Sequence, residues 1–289
     1  MATRSKSPTE PDPNAEPQRE SESPRERATE EKQVRDAQSL DAKSTHEVIR
    51  REGEKELGRS TDALFWSGLA AGLSMGFSFL TEAILRANLP DAPWRPLVAK
   101  LGYSVGFLVV ILGSQQLFTE NTLTPMVPLL SRKSQAKLRD VLRLWGAVFV
   151  ANMIGTLLFG LALAKLNVVE PDIKRALSDI ASEAMRHDWW TTFLHAIYAG
   201  WIIALLVWVL PGAEHNKVAV IVAMTWLIAA GGFAHVIAGS SEVFYGAWRG
   251  EASWADALAG FVLPSLIGNM VGGITLVAAL NHAQATSGE

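Results

Sequence analysis

The sequence predicts an all-α membrane protein of six transmembrane helices, because six apolar runs of spanning length follow an N-terminal arm that holds nearly half of the charged residues. A bilayer's hydrocarbon core takes roughly 20 apolar residues in helical form to cross. The runs are Leu64–Leu85, Leu97–Leu117, Val141–Ala164, Trp189–Leu210, Val218–Gly239 and Ala257–Leu280. They are continuous rather than alternating. In lipid only helices and closed barrels satisfy every backbone hydrogen bond, so these runs are expected to be helices.

The arm, 1–60, is rich in Glu, Arg, Lys, Ser and Pro and nearly lacks aromatics. Such a stretch buries too little apolar surface to offset the entropy of ordering it, so Met1 to about Leu40 is expected to be disordered. Ser44–Arg59 then reads as a polar, charge-laced helix leading into the first span. The arm's charges are mixed in sign, which argues against nucleic-acid binding. No apolar core follows its first basic residues, so no secretory signal is expected. Cysteine is absent, which excludes disulfides, thiolate metal sites and cysteine nucleophiles. Residues 61–282 are expected to form the membrane domain and 283–289 a short tail.

An even number of spans puts both termini on one side. Arg132, Lys133, Lys137 and Arg139 share that side with Arg50, Arg51, Lys55 and Arg59, which makes it the cytoplasm by the positive-inside rule. Trp94, Trp189, Trp190, Trp248 and Trp254 sit at span ends, as interfacial anchors do. Small residues recur every four positions within spans: Gly68–Gly72–Gly76, Ala151–Gly155, Ala196–Gly200–Ala204 and Gly268–Gly272. That spacing lets helix backbones approach closely.

The second and fifth spans carry polar interruptions. After Gly113 the polar run Thr119–Glu120–Asn121–Thr122 is followed by Pro125 and Pro128, which disfavour a straight helix. The fifth span contains Gly231–Gly232, His235 and Gly239–Ser240–Ser241–Glu242. Each interruption lies in the middle member of a three-span half, and two odd-numbered halves enter the membrane in opposite senses. This is the inverted-repeat pattern, with broken helices 2 and 5 meeting at a pathway.

His235 lies among apolar neighbours, and ionisable groups at such depth usually face a pathway or a partner. The other interruption supplies the Thr119 hydroxyl as that partner. Motifs for zinc hydrolysis, nucleotide binding or a serine nucleophile are missing, so neither an enzyme nor a cofactor is expected.

The segment Leu97–Leu123, with Leu117–Phe118–Thr119 at its centre, resembles the second span and broken loop of the formate/nitrite transporter family. GGFAHVIAG around His235 resembles the family's fifth-span loop, and Leu263–Gly273, with Pro264, Gly268, Asn269 and Gly272, its sixth-span signature. The charged arm and Gln115–Gln116 are similar to the YfdC-type branch. The resemblance implies an aquaporin-like fold, a homopentamer with one pore per protomer, and a small monovalent anion such as formate or nitrite as solute. It implies an integral protein of the bacterial inner membrane with the arm in the cytoplasm, free to meet a partner there. Thr119 and His235 match the central hydroxyl and histidine, and Leu117 and Phe118 match a constriction, with Ile228 as a second apolar candidate.

Three features depart from the family pattern. Glu120 follows the loop threonine where a small or neutral residue is usual. Gly239 stands where an asparagine is common, with Glu242 just beyond. No vestibule lysine precedes the fourth span, where Arg186 and His187 are the nearest bases. Two carboxylates beside an anion path repel the solute unless protonated or paired, so a cation or a neutral protonated solute is the alternative cargo. A membrane scaffold or sensor using the arm is the reading from another class.

Overall fold

The computed structural model describes residues 41–132 and 134–286; the stretch expected to be disordered lies outside them. The described chain is helical throughout. A polar helix α1, Ala42–Leu57, precedes the long apolar α2, Thr61–Asn88. Then come α3, Arg95–Leu112, the short α4, Met126–Ser131, and α5, Gln135–Lys165. Helix α6, Pro171–Ala184, separates this half from α7, Trp189–Val209, and α8, Lys217–Ala230. Helix α9, Val236–Arg249, and α10, Asp256–Thr275, complete the bundle, and Leu280–Thr286 is again helical.

Short polar side chains start these helices. Asp41, Ser60, Ser134 and Asp188 each accept a backbone N–H from the first turn, at 2.7, 3.3, 3.1 and 2.8 Å. Such caps satisfy donors that have no partner inside the helix.

Among the described residues five helices are long and apolar enough to cross a membrane: α2, α3, α5, the Trp189–Gly212 helix and α10. The run expected as the fifth span, Val218–Gly239, is split: the shorter α8 stops at Gly231–Gly232 and α9 begins at Val236. The expected second span likewise ends at Leu112, short of Leu117. Gly239–Glu242, expected to belong to an interruption, lie instead within α9. The backbone reverses into helix at Val236, ahead of these polar residues, because His235 caps it there.

The small-residue faces meet in pairs, α2 with α5 and α7 with α10. A Cβ on Gly68 would touch that of Ala151, one on Gly72 would strike the Asn152 backbone, and one on Gly155 would strike Leu73 N. In the other half a Cβ on Gly200 would strike the Asn269 backbone, and one on Gly268 the Ala196 side chain. Backbones this close are what the four-residue spacing was expected to permit. The outward faces keep large apolar side chains exposed, with Trp66 at 67% and Trp190 at 68%. An apolar exterior of this extent fits a surrounding of lipid or of other copies, not water.

Helix α6 was not anticipated. It buries Ala176, Leu177, Ile180 and Ala181 against Phe79, Leu163 and Tyr245, an apolar stripe readable in the spacing of ALSDIASEA.

Candidate functional site

Helices α3 and α8 end inside the bundle in the same way. Ser114 and Gly232 take left-handed backbone, at φ 50° and 64°. The next residues reach back five positions: Gln115 N–H donates to the Val110 carbonyl at 2.9 Å, and Phe233 N–H to the Ile228 carbonyl at 3.0 Å. Ser114 and Gly232 donate to the carbonyls three residues back, at 3.2 and 3.1 Å. This is a Schellman stop, which satisfies carbonyls left open at a helix end. Glycine adopts that backbone freely, whereas serine meets steric resistance there.

An asparagine from another helix then holds each loop. Asn152 of α5 accepts Phe118 N–H at 2.9 Å and donates to the Gly68 and Gln116 carbonyls at 2.7 and 2.9 Å. Asn269 of α10 accepts Val236 N–H at 2.8 Å and donates to the Ala196 and Ala234 carbonyls at 2.7 and 2.9 Å. Both asparagines are fully buried. The sequence pointed to Asn269 through the resemblance but not to Asn152, whose one signal is an amide beside the small residues Ala151 and Gly155.

The residues held at the two apices are Leu117 and His235, both buried. His235 Nδ1 accepts Ala238 N–H at 3.1 Å and so caps α9. An accepting Nδ1 carries no proton, which leaves the ring's one proton on Nε2. Nε2 lies 2.7 Å from Thr119 Oγ1. The ring therefore donates to the threonine, and the hydroxyl hydrogen is free to be offered to another acceptor. The Phe107 ring covers the imidazole edge-on at 5.0 Å, and Phe118 packs against Phe149 at 5.1 Å.

Two cavities lie at opposite ends of α7 on either side of this contact. Cavity A, about 240 Å³, is bounded by Thr192 and His195 of α7 and contains His235, Gly239 and Glu242. Cavity B, about 400 Å³, is bounded by Val207 at the other end of α7 and contains Leu117, Glu120 and Asn121. Thr119 thus joins the histidine, and the remaining expected residues flank it, except for two. Phe118 is packed within the core, and Ile228 is fully buried away from both cavity linings.

Cavity A is rich in charge. Lys100 of α3 pairs with the buried Glu82 of α2 at 2.7 Å, an ion pair that the sequence reading missed. Arg186 and His187 also line it, with Arg186 Nε donating to His187 Nε2 at 2.9 Å. Burial first, then the charges of Arg186 and His195, hold the His187 imidazole below its ordinary value. Glu183 lies partly buried at the rim. Burial pushes its carboxyl up, but the ion pair with Arg86 at 2.7 Å and the charges of Lys100 and Arg186 together more than offset this and hold it below the ordinary range. Among the described residues no group of three or more His, Asp or Glu side chains is placed to hold a metal ion.

Residues 43–283 match the family model described as formate/nitrite transporter. The chain belongs to the formate/nitrite transporter family. It is 40% identical over 243 residues to the inner membrane protein YfdC of Escherichia coli K12, covering 84% of this chain and 78% of that protein. It is 23% identical to the formate channel FocA of Haemophilus influenzae over 60% of this chain and 63% of the other. In fold it is similar to a solved FNT family ion channel, with a TM-score of 0.69 at 20% identity over 84% of this chain and 98% of that one. A pentameric formate channel with formate bound matches at a TM-score of 0.62 and 21% identity, over 76% of this chain and 95% of that one. As a member of this family the chain is a membrane transporter or channel.

Proposed function

We propose that this chain forms a conduit for small monovalent anions of the formate/nitrite type, one in each protomer of a homopentamer. The chain crosses the membrane six times, with α3–α4 and α8–α9 as the two broken spans of an inverted repeat and both termini in the cytoplasm. Residues 61–282 are the conducting domain and 1–60 a cytoplasmic arm. Cavity B then faces the cytoplasm and cavity A the opposite side.

One observation carries this reading: the buried Thr119–His235 contact lies between two cavities at opposite ends of α7, one lined by His235 and the other by Leu117 and Glu120, which flank Thr119 in the chain. Arg186 draws an anion into cavity A. Leu117 and Phe107 strip its water, and the free hydrogen of Thr119 replaces part of that shell. His235 orients the hydroxyl, and Asn152 and Asn269 hold both loops in place.

Proteoliposomes containing the full chain and a formate or nitrite gradient test this. Thr119→Val, which keeps shape and loses the hydroxyl, is expected to cut flux about tenfold, the rate equivalent of about 1.4 kcal/mol. Thr119→Ser is expected to retain flux. Normal flux in both Thr119→Val and His235→Ala would remove the site.

A further inference from the structure

A groove of about 810 Å³ runs along the outer face of the bundle between α3 and α8. Leu101 and Leu112 of α3 and Val218, Val222 and Trp226 of α8 form its apolar walls. Leu101, Leu112 and Val218 are each roughly half exposed. At the far end Trp226 Nε1 donates to the Leu97 carbonyl at 2.8 Å and pins the two helices together. From Lys217 to Trp226 the groove follows α8 for about 14 Å, at a rise of 1.5 Å per residue. That is about half of the roughly 30 Å hydrocarbon core of a bilayer, the depth of one leaflet.

The near end is polar. Glu214, His215, Asn216 and Lys217 line it, and all four are exposed. Among the described residues the side chains of Glu214, His215 and Lys217 have no hydrogen-bond or ion-pair partner. Asn216 precedes α8 without capping it, so the Lys217, Val218 and Ala219 N–H groups have no acceptor among the described residues. A polar end over an apolar slot of leaflet depth has the two-part chemistry of a phospholipid. A purely apolar helix laid in the slot would leave that end unanswered. Glu214 and Lys217 together carry no net charge, as do the phosphate and ammonium of an aminophospholipid, so the two match group for group.

We propose that this groove is a binding site for an aminophospholipid. One tail lies between α3 and α8. The phosphate sits at Lys217 and the open N–H groups of α8, with the His215 ring as a further donor. The primary ammonium donates to the Glu214 carboxylate. The lipid thereby braces the 14-residue α8, the half-helix whose stop at Gly231–Gly232 leads into the His235 loop. This site depends on the chain lying in a bilayer and not on which solute it carries.

The test uses the full chain, delipidated in a neutral detergent, with phosphatidylethanolamine, phosphatidylcholine or phosphatidylglycerol of the same acyl chains added back. The ethanolamine lipid is expected to raise the thermal midpoint at a concentration about fivefold below that of the others, the upper range for one exposed ion pair. Choline has no N–H to give Glu214, and the glycerol headgroup has no positive charge. Glu214→Gln is expected to abolish the preference, and Lys217→Gln to weaken binding of all three lipids. Because the chain has no cysteine, Val218→Cys is a unique label, and the ethanolamine lipid is expected to slow its reaction with a maleimide. Equal potency of the three lipids, or an unchanged preference in Glu214→Gln, would overturn the proposal. So would stabilisation by inorganic phosphate alone. A Val218→Cys already unreactive in the lipid-free protein would overturn it too, and would give the groove to a second copy of the chain. Should a variant fail to assemble, the ranking of the three lipids on wild type decides alone. The anion conduit is tested separately, by flux.

Discussion

Asn152 and Asn269 make the same three hydrogen bonds at the two helix interruptions, one in each half of the chain. Each accepts the N–H just after a loop apex, donates to the carbonyl just before it, and donates again to the first long helix of its own half. A loop at membrane depth exposes backbone groups that lipid cannot satisfy. The two amides answer that need, and so position Leu117 and His235.

Replacing either amide with a similarly shaped apolar group tests this. Asn152→Leu leaves the Phe118 N–H and two carbonyls without their buried partner, at a cost of about 1–3 kcal/mol for each group left open. The thermal midpoint of the detergent-solubilised protein is expected to fall, and so is that of Asn269→Leu. Unchanged midpoints in both would show that the clamps do not hold the loops.

The Lys100–Glu82 pair gives a second test. Glu82 is almost fully buried, so Lys100→Met strands a carboxylate in the bundle. Removing one partner of a buried pair costs about 3–5 kcal/mol, whereas replacing both is often neutral. Lys100→Met is therefore expected to be strongly destabilised, and adding Glu82→Met to recover most of the loss. A double variant as unstable as the single one would contradict this account.

Helix contacts offer a third. Gly72→Ala and Gly200→Ala each drive a methyl into the backbone of the facing asparagine, at Asn152 and Asn269. Overpacking of this kind costs about 1–3 kcal/mol or more. Both variants are expected to melt earlier. Gly146→Ala, whose added carbon meets nothing within 4 Å, should match wild type.

The Arg86–Glu183 ion pair predicts a pH dependence. Glu183 in the folded protein titrates below its ordinary value of 4.5 because burial, which raises it, is more than offset by Arg86 together with Lys100 and Arg186. A depressed carboxyl contributes stability above its unfolded pKa and loses it as pH falls through the folded one. The wild-type midpoint is expected to drop below about pH 4.5, with a smaller drop in Glu183→Gln. The pair is partly exposed, with Glu183 at 43%, so the difference is expected to stay under about 1 kcal/mol. Parallel pH curves for the two proteins would argue against it.

The membrane class and the small-residue faces are readable in the sequence. Each is written in local composition or spacing, and helix formation in lipid depends on little else. The two helix stops were legible only in outline. Gly231–Gly232 marks one, but at the other the left-handed backbone falls on Ser114 and not on its neighbour Gly113. Glu242 was read as part of a break and lies in a helix, because the cap at His235 restarts the helix sooner than the polar residues suggest.

Tertiary structure alone decided which groups meet. That Asn152 serves Phe118, that Lys100 meets Glu82, and that Arg86 meets Glu183 all depend on groups brought within hydrogen-bond reach by packing between helices. Hydrogen bonds are satisfied by proximity in space. The sequence determined that buried polar groups would need partners, and only the fold determined which partners they found.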